Sequence, residues 1–426
     1  MKKNVLALSI ASALSLIAAD RAHGAGFALY EQGVSGLGNA YAGAAAVAED
    51  STTVWWNPAG MARLAKGKHL AIAGSVIAPS TEFSNSGSVP PAGRPLGSNG
   101  GDAGSAAFVP SAFFAMDFGP QWSFGLGISV PFGQKTEYTG DWIGRFQGIS
   151  AEIKTVNINP AVSYKVSDAL SVGFGINYIT GEIETLTGVN FGVGEGQNKS
   201  SVDGDGWGFN IGVLFSLSPA TRFGVHYRSS VKLELDGDTS FTGTPALPQL
   251  SNGNVKLEVD TPDSLAFSVA HRMNERLELL GDVTWWQWSK IQRVPLVRTS
   301  GSLSGQPVST FAFDFDDSYR VSIGANYKLN PAWMLKFGFA YDQTPVPSAE
   351  QRTVRLPDND RYWFSAGAKF QMSKAGALDF GYTFIQVKDA DIRNNGGTGA
   401  PPATGFVSGS YKATVNVLGV QYQHSF

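Results

Sequence analysis

The stretch SVGFGINY, Ser171 to Tyr178, decides how the chain is read. Val172, Phe174, Ile176 and Tyr178 are large and apolar, and the residues between them are glycine or asparagine. Side chains of a strand point alternately to its two faces, so a period of two gives one greasy face and one small, polar face. The same pattern recurs on both sides. Trp207, Phe209, Ile211, Val213 and Phe215 alternate with Gly208, Asn210 and Gly212, and only Leu214 breaks the polar side. Trp333, Leu335, Phe337, Phe339 and Tyr341 repeat it, as do Leu378, Phe380, Tyr382 and Phe384. Short turns such as Gly119-Pro120-Gln121, Ser167-Asp168-Ala169 and Asn330-Pro331-Ala332 alternate with long Gly/Ser/Pro-rich connections near 84–105, 133–150, 186–203, 237–254, 290–309, 344–359 and 393–409, which divides the region into fourteen strands.

Alternation alone fits a soluble sandwich as well as a membrane barrel, and composition separates the two. Charged residues make up 16% of the 426, against roughly 25% in soluble domains, and the chain carries 51 glycines with a mean hydropathy of -0.06. Aromatic residues collect near strand ends, as in Trp285-Trp286-Gln287-Trp288 and Tyr362-Trp363-Phe364, as the girdles of a membrane barrel do. An even strand number, with short turns on one side and long loops on the other, points the same way. Leu418, Val420, Tyr422, His424 and the terminal Phe426 form a last alternating series that ends as barrel-assembly signals end. The expected fold class is therefore an all-β membrane protein, a 14-stranded antiparallel transmembrane β-barrel of the bacterial outer membrane.

The first 66 residues stand apart. Residues 1–24 carry Lys2 and Lys3, an apolar stretch from Val5 to Ala19 and the small-x-small site Ala22-His23-Gly24, which reads as a secretory signal cut before Ala25. Its loss removes Lys2, Lys3 and Arg21 against Asp20, so the formal charge moves from -3 to -5. Nothing in that charge calls for nucleic acid. Residues 25–66 lack alternation and are rich in alanine and glycine, with Asn57 placed to cap a helical turn and Pro58 at its first position. They read as a small helical hatch in the lumen, with residues 67–426 forming the barrel.

Chemical motifs are sparse. There is no cysteine, no G-x-S-x-G, and His69, His226 and His271 are scattered, so no enzyme, cofactor or metal is expected. Asp203-Gly204-Asp205-Gly206 opens like a calcium loop without its later ligands. Arg228, Glu278, Asp282, Arg320, Lys336, Arg361 and Asp379 fall on the inward face, either pairing across the lumen or, for Arg320 or Lys336, receiving a carboxylate head group. Pro131 and Gly133 interrupt or end the third strand. A diffusion porin is the alternative, and it requires a wet, charged lumen with no plug.

The segments GFALYEQGVSGLGNAYAG and AAAVAEDSTTVWWNPAGMARL, with INPAVSYKVSDALSVGFGINY and RLPDNDRYWFSAG, resemble the FadL family of outer-membrane transporters for long-chain fatty acids and other hydrophobic compounds. The resemblance implies a plugged 14-stranded barrel, an apolar site fed by extracellular loops, and exit of the ligand through a lateral gap beside a kinked third strand. It places gating on Asn57, Pro58 and Ala59 and the lateral gap at Pro131, Phe132 and Gly133. Ligand contacts are expected from Ala25, Gly26, Phe27 and Leu29 at the mature amino terminus, together with Arg320 and Lys336. Expected partners are a hydrophobic ligand, outer-membrane lipid and lipopolysaccharide, and the assembly machinery at Phe426; the barrel is expected to be a monomer.

Overall fold

The structure, a computed structural model, describes residues 25–396 and 404–426; the signal predicted over residues 1–24 lies outside the described residues. One continuous sheet holds twenty stretches of ladder. Six strands are interrupted once, so the stretches make fourteen strands. They are β1 (Lys68–Asn85), β2 (Ala107–Phe118), β3 (Trp122–Ser129 and Gly133–Glu137), β4 (Ser150–Lys165), β5 (Leu170–Asn190), β6 (Glu195–Ser216) and β7 (Thr221–Arg228 and Lys232–Thr242). The second half comprises β8 (Gly253–Asp260 and Ser264–Arg272), β9 (Leu277–Trp286 and Arg293–Arg298), β10 (Pro307–Ala312 and Ser318–Lys328), β11 (Trp333–Asp342), β12 (Arg361–Gln371), β13 (Gly376–Val387 and Ala390–Asn394) and β14 (Val407–Ser425). Every strand pairs antiparallel with its sequence neighbour, and β14 returns to β1 from His69↔Ser425 to Asn85↔Gly409. Closure joins the first strand to the last, so the sheet has no terminal edge, which is the condition for a sheet in lipid.

The greasy face points outward. Phe174, Ile211 and Phe337 are 45%, 45% and 52% exposed, whereas Gly173, Asn177 and Asn210 between them are buried. A belt of exposed apolar side chains around a closed sheet has no place in water and matches a bilayer.

Several connections expected as loops are ladder. β5 and β6 pair without a break as far as Asn190↔Glu195, so the loop expected over 186–203 shrinks to a tip at Phe191–Gly194. Segments over 237–242, 253–260, 293–298 and 307–312 likewise extend as hairpins. Once a strand leaves the bilayer both faces meet water or other loops, so the apolar alternation fades while the backbone ladder continues.

Residues 25–64 form no wall. They contain a 3-10 turn (Leu37–Asn39), the helices α1 (Ala44–Val47) and α2 (Thr53–Trp56), and a second 3-10 turn (Pro58–Arg63). These short elements touch strands all round the ring, from β2 through β8 to β13. The wall is glycine where they come closest. A Cβ on Gly212 would lie 1.9 Å from Asn57 Oδ1, and one on Gly338 2.1 Å from the Asn39 carbonyl carbon. Leu214, the residue that broke the polar side of β6, packs under Ala46 and Ala59.

Candidate functional site

The inward bases of the wall hold the carbonyl groups of the luminal segment. Arg222 Nε donates to Ala46 O at 3.2 Å, Arg228 Nη2 to Trp55 O at 3.0 Å, Arg320 Nη2 to Ala40 O at 2.8 Å and Lys336 Nζ to Ser35 O at 2.7 Å. Short helical turns leave their last carbonyls unpaired, and the three arginines satisfy such groups, while Lys336 holds the carbonyl that precedes the first turn. Arg228 also lies over the Trp55 ring at 3.5 Å, and Arg320 is stacked between Tyr30 and Trp363. Lys336 additionally pairs with Glu49 at 2.7 Å and Asp379 at 3.2 Å, and Lys369 reaches the other Glu49 oxygen at 3.3 Å. Burial would raise the Glu49 carboxyl, but Lys336 and Lys369 together bring it down to about 2. Of the other inward charges, Glu278 pairs with Arg222 at 3.2 Å, Asp282 accepts from Ser268 and Thr284, and Arg361 pairs with Asp358 at 2.5 Å.

Asn57 has extended backbone, and its Oδ1 accepts from Ala59 N at 3.1 Å, so it caps the 3-10 turn that Pro58 begins. Its Nδ2 donates to Ala45 O at 2.7 Å and, across to the wall, to Val213 O at 3.0 Å. Ala59 is fully buried, and its carbonyl accepts from Ser171 Oγ at 2.9 Å. The triplet thus ties one turn to α1, β5 and β6. Only the cap was visible in the sequence.

The third strand is broken at Val130–Phe132. Its inner stretch pairs with β2 from Phe118↔Trp122 to Ala112↔Ile128, but its outer stretch, Gly133–Glu137, pairs with β4 alone. Ala107–Ser111 of β2 pair with β1 and have no ladder toward β3. The wall closes again above, where Glu137 N donates to Ala103 O at 3.1 Å. A ladder cannot stop in a membrane without leaving polar backbone groups to be satisfied. On the β3 side the amino-terminal segment satisfies them. Leu29 N donates to Pro131 O at 2.9 Å, Gly133 N to Phe27 O at 2.9 Å, and Ala28 bridges Phe132. Gln32 Nε2 donates to Val130 O at 2.6 Å, and Thr155 Oγ1 exchanges hydrogen bonds with both Phe132 backbone groups. Pro131 fits because it has no N–H to lose.

Two cavities meet at this break. The inner one, about 70 Å³, is lined mainly by Phe27, Phe132, Ile153, Leu233, Val294 and Phe311, with Arg355 in its wall. The outer one, about 460 Å³, spans Leu29, Val109, Val130, Gly133 and the lipid-facing side of Tyr178. Ile153, Thr155 and Gly181 belong to both. Phe27 meets Trp288 edge-on at 4.8 Å and Phe132 at 5.9 Å, and Gly26, at φ +59, leaves no room for a side chain against Trp288. Gly26 N donates to Asp358 Oδ2 at 3.0 Å. The site therefore brings together Gly26, Phe27, Leu29, Pro131, Phe132 and Gly133, with Ala25 buried beside them. It does not bring Arg320 or Lys336, which are engaged with the luminal segment, and it adds Arg355, Thr155 and Gln32, which carried no local signal in the sequence.

Comparison with known proteins agrees with this architecture. Residues 15–426 match the family model described as outer membrane protein transport protein (OMPP1/FadL/TodX). The long-chain fatty acid transport protein of Escherichia coli strain K12 is 28% identical over 394 residues, covering 83% of this chain and 85% of that one. Outer membrane protein P1 of Haemophilus influenzae is 27% identical over 394 residues, with 83% and 84% covered. The crystal structure of a Pseudomonas aeruginosa FadL homologue superposes with a TM-score of 0.84 at 21% identity, covering 94% and 99% of the two chains. The Ralstonia pickettii toluene transporter TbuX gives a TM-score of 0.70 at 18% identity over 93% and 100%. A closed barrel with an outward apolar belt, matched along nearly its whole length, makes the chain a member of the OMPP1/FadL/TodX family of outer-membrane transport proteins.

Proposed function

We propose that this transporter admits hydrophobic molecules from its extracellular loops to the apolar cavity around Phe27 and releases them sideways into the bilayer through the break between β2 and β3. The observation that carries this reading is the pair of cavities at a wall whose β2–β3 ladder stops and whose broken third strand is bridged by residues 27–32. An apolar molecule gains about 25 cal/mol per Å² on leaving water, so a dry cavity holds it without an energy source, and release into lipid avoids returning it to water. Relatives in the comparison are described as carriers of long-chain fatty acids and of toluene, and the lining here suits such molecules.

Volume decides how the site works. The inner cavity of about 70 Å³ is far below the roughly 300–1,000 Å³ of ordinary ligand pockets. A ligand of any length must displace a side chain, and Phe27 projects into the space. Entry of ligand is coupled in this way to movement of the segment that seals the wall. Asn57, Pro58 and Ala59 set the position of the hatch from which that segment extends, and the belt of outward apolar side chains contacts the lipid that receives the product. Uptake of labelled oleate by cells carrying the protein, against cells without it, tests the reading: faster uptake is expected, together with small, rare channel events in planar bilayers. Equal uptake with a large steady conductance would indicate a diffusion porin instead.

A further inference from the structure

The segment that bridges the break in β3 starts from Ala25, and the surroundings of that residue are short of a cation. Ala25 is buried, its carbonyl accepts from Ala28 N at 3.4 Å to close a turn, and Gly26 N donates to Asp358 Oδ2 at 3.0 Å. The Ala25 backbone nitrogen hydrogen-bonds the carboxylate of Asp342, the last residue of β11. Asp342 is 1% exposed, yet its Oδ2 has no hydrogen-bond partner among the described residues, and no side-chain base pairs with it there. Its neighbours across the ladders are Arg320 on β10 and Arg361 on β12. Both are turned elsewhere. Arg320 donates to Ala40 O and stacks on Tyr30 and Trp363, and Arg361 Nε donates to Asp358 Oδ1 at 3.0 Å. Arg352 reaches the backbone carbonyl groups of Asp358 and Asp391. Three buried acids, Glu31, Asp342 and Asp358, thus face the two guanidiniums of Arg320 and Arg361, with Asp282 beyond Arg320.

A buried carboxylate is costly unless a charge and hydrogen bonds satisfy it. Cleavage before Ala25 supplies both. Hydrolysis of the Gly24–Ala25 peptide bond by one water breaks the C–N bond, leaves a carboxylate on Gly24 and a proton on the Ala25 nitrogen, and so turns a neutral amide with one N–H into an ammonium with three. An α-amine of ordinary basicity, about 7.7–8.0, is mostly charged at neutral pH. The new cation arises on the atom that already bonds Asp342, where the amide's single N–H leaves the second carboxylate oxygen unfilled.

We infer that the α-ammonium of Ala25, created by signal cleavage, is the buried counter-ion of Asp342 and locks residues 25–32 across the broken third strand. The site of cleavage is then a structural requirement as well as an export step, since an extra residue would move the charge away from Asp342. The inference does not depend on which molecule the protein carries or by which route it leaves.

Removal of the charge at constant size tests it. Pyridoxal phosphate converts the amino-terminal alanine of the exported, unfolded protein to the corresponding α-keto acyl group, and the chain is then refolded. Hydrogen exchange of the amides of residues 26–32 should become roughly 10- to 100-fold faster in the keto form. Asp342→Asn should have the same effect on the amine form but slow exchange in the keto form, because an amide N–H then meets the keto oxygen. A gel-mobility shift on heating confirms that each form is folded. Acylation of the Ala25 amine in the exported protein, which needs no refolding, gives a second readout, and at neutral pH it should be at least about tenfold faster in Asp342→Asn than in the wild type. Unchanged exchange in the keto form, losses that add when the keto form carries Asp342→Asn, equal acylation rates, or an exported chain whose mass shows a first residue other than Ala25 would each overturn the proposal.

Discussion

Asn57 shows how one side chain joins the luminal segment to the wall. Its amide satisfies the turn it caps, the end of α1 and a β6 carbonyl at once. Replacing Asn57 and Pro58 by alanine should cost about 1–3 kcal/mol locally, more than a cap alone, because two buried acceptors lose their donor. The barrel should still assemble and show its heat-dependent gel shift, while oleate uptake at matched surface levels falls; unchanged uptake would separate the triplet from transport. Titration acts on the same segment with two opposite signs. Glu49 is held down at about 2 from an ordinary 4.5, so its contribution is present above pH 4.5 and is lost as pH falls toward 2. Glu31 is raised from 4.5 to about 7, because burial outweighs the nearby backbone N–H groups and the charges of Arg320 and Arg361. Its contribution is complete below pH 4.5 and is lost as pH rises through about 7. Hydrogen exchange of hatch amides should accelerate at both ends, and Glu31→Gln should flatten the alkaline side only. The Asn-Pro cap was legible because capping is local chemistry. The work of Arg320 and Lys336 was not, since it depends on which carbonyl groups a distant segment brings into the lumen.

The third strand is the element on which the proposed lateral route depends. Pro131 and Gly133 marked it in the sequence, and the ladder does break there. What the sequence could not show is that residues 27–32 replace the missing partner, since a three-residue bridge has no periodicity to read. Gln32 is the buried donor joining the two, with Val130 O at 2.6 Å and Leu29 O at 2.9 Å. Gln32→Ala should loosen this join by about 1–3 kcal/mol and speed exchange of the Leu29 and Gly133 amides, with the inner stretch of β3 unaffected. Uniform slow exchange in that variant would show the segment to be held by packing alone. The extended hairpins beyond the membrane look like loops in the sequence for a related reason: alternation reports a difference between two solvents, and a strand with water on both sides has none.

At the scale of the whole molecule, fourteen strands enclose more space than wall side chains can fill, and residues 25–64 occupy it. The strand count and the outward belt were legible, because both follow from the period of two. The contacts at the extracellular end were not, because partners such as Arg355 and Thr187 meet only after the hairpins fold over the lumen. Removing residues 25–64 should leave a heat-modifiable barrel with much larger conductance. The proposed lateral route is open to a direct measurement, since the chain has no cysteine of its own. With Val109→Cys and Val130→Cys, one on each side of the break, a reducible bis-maleimide can bridge the wall, and oleate uptake can be followed before bridging, after it, and after reduction. Lateral release predicts that bridging abolishes uptake, that reduction restores it, and that binding of oleate to the purified protein is retained throughout; full uptake through a bridged wall would contradict it.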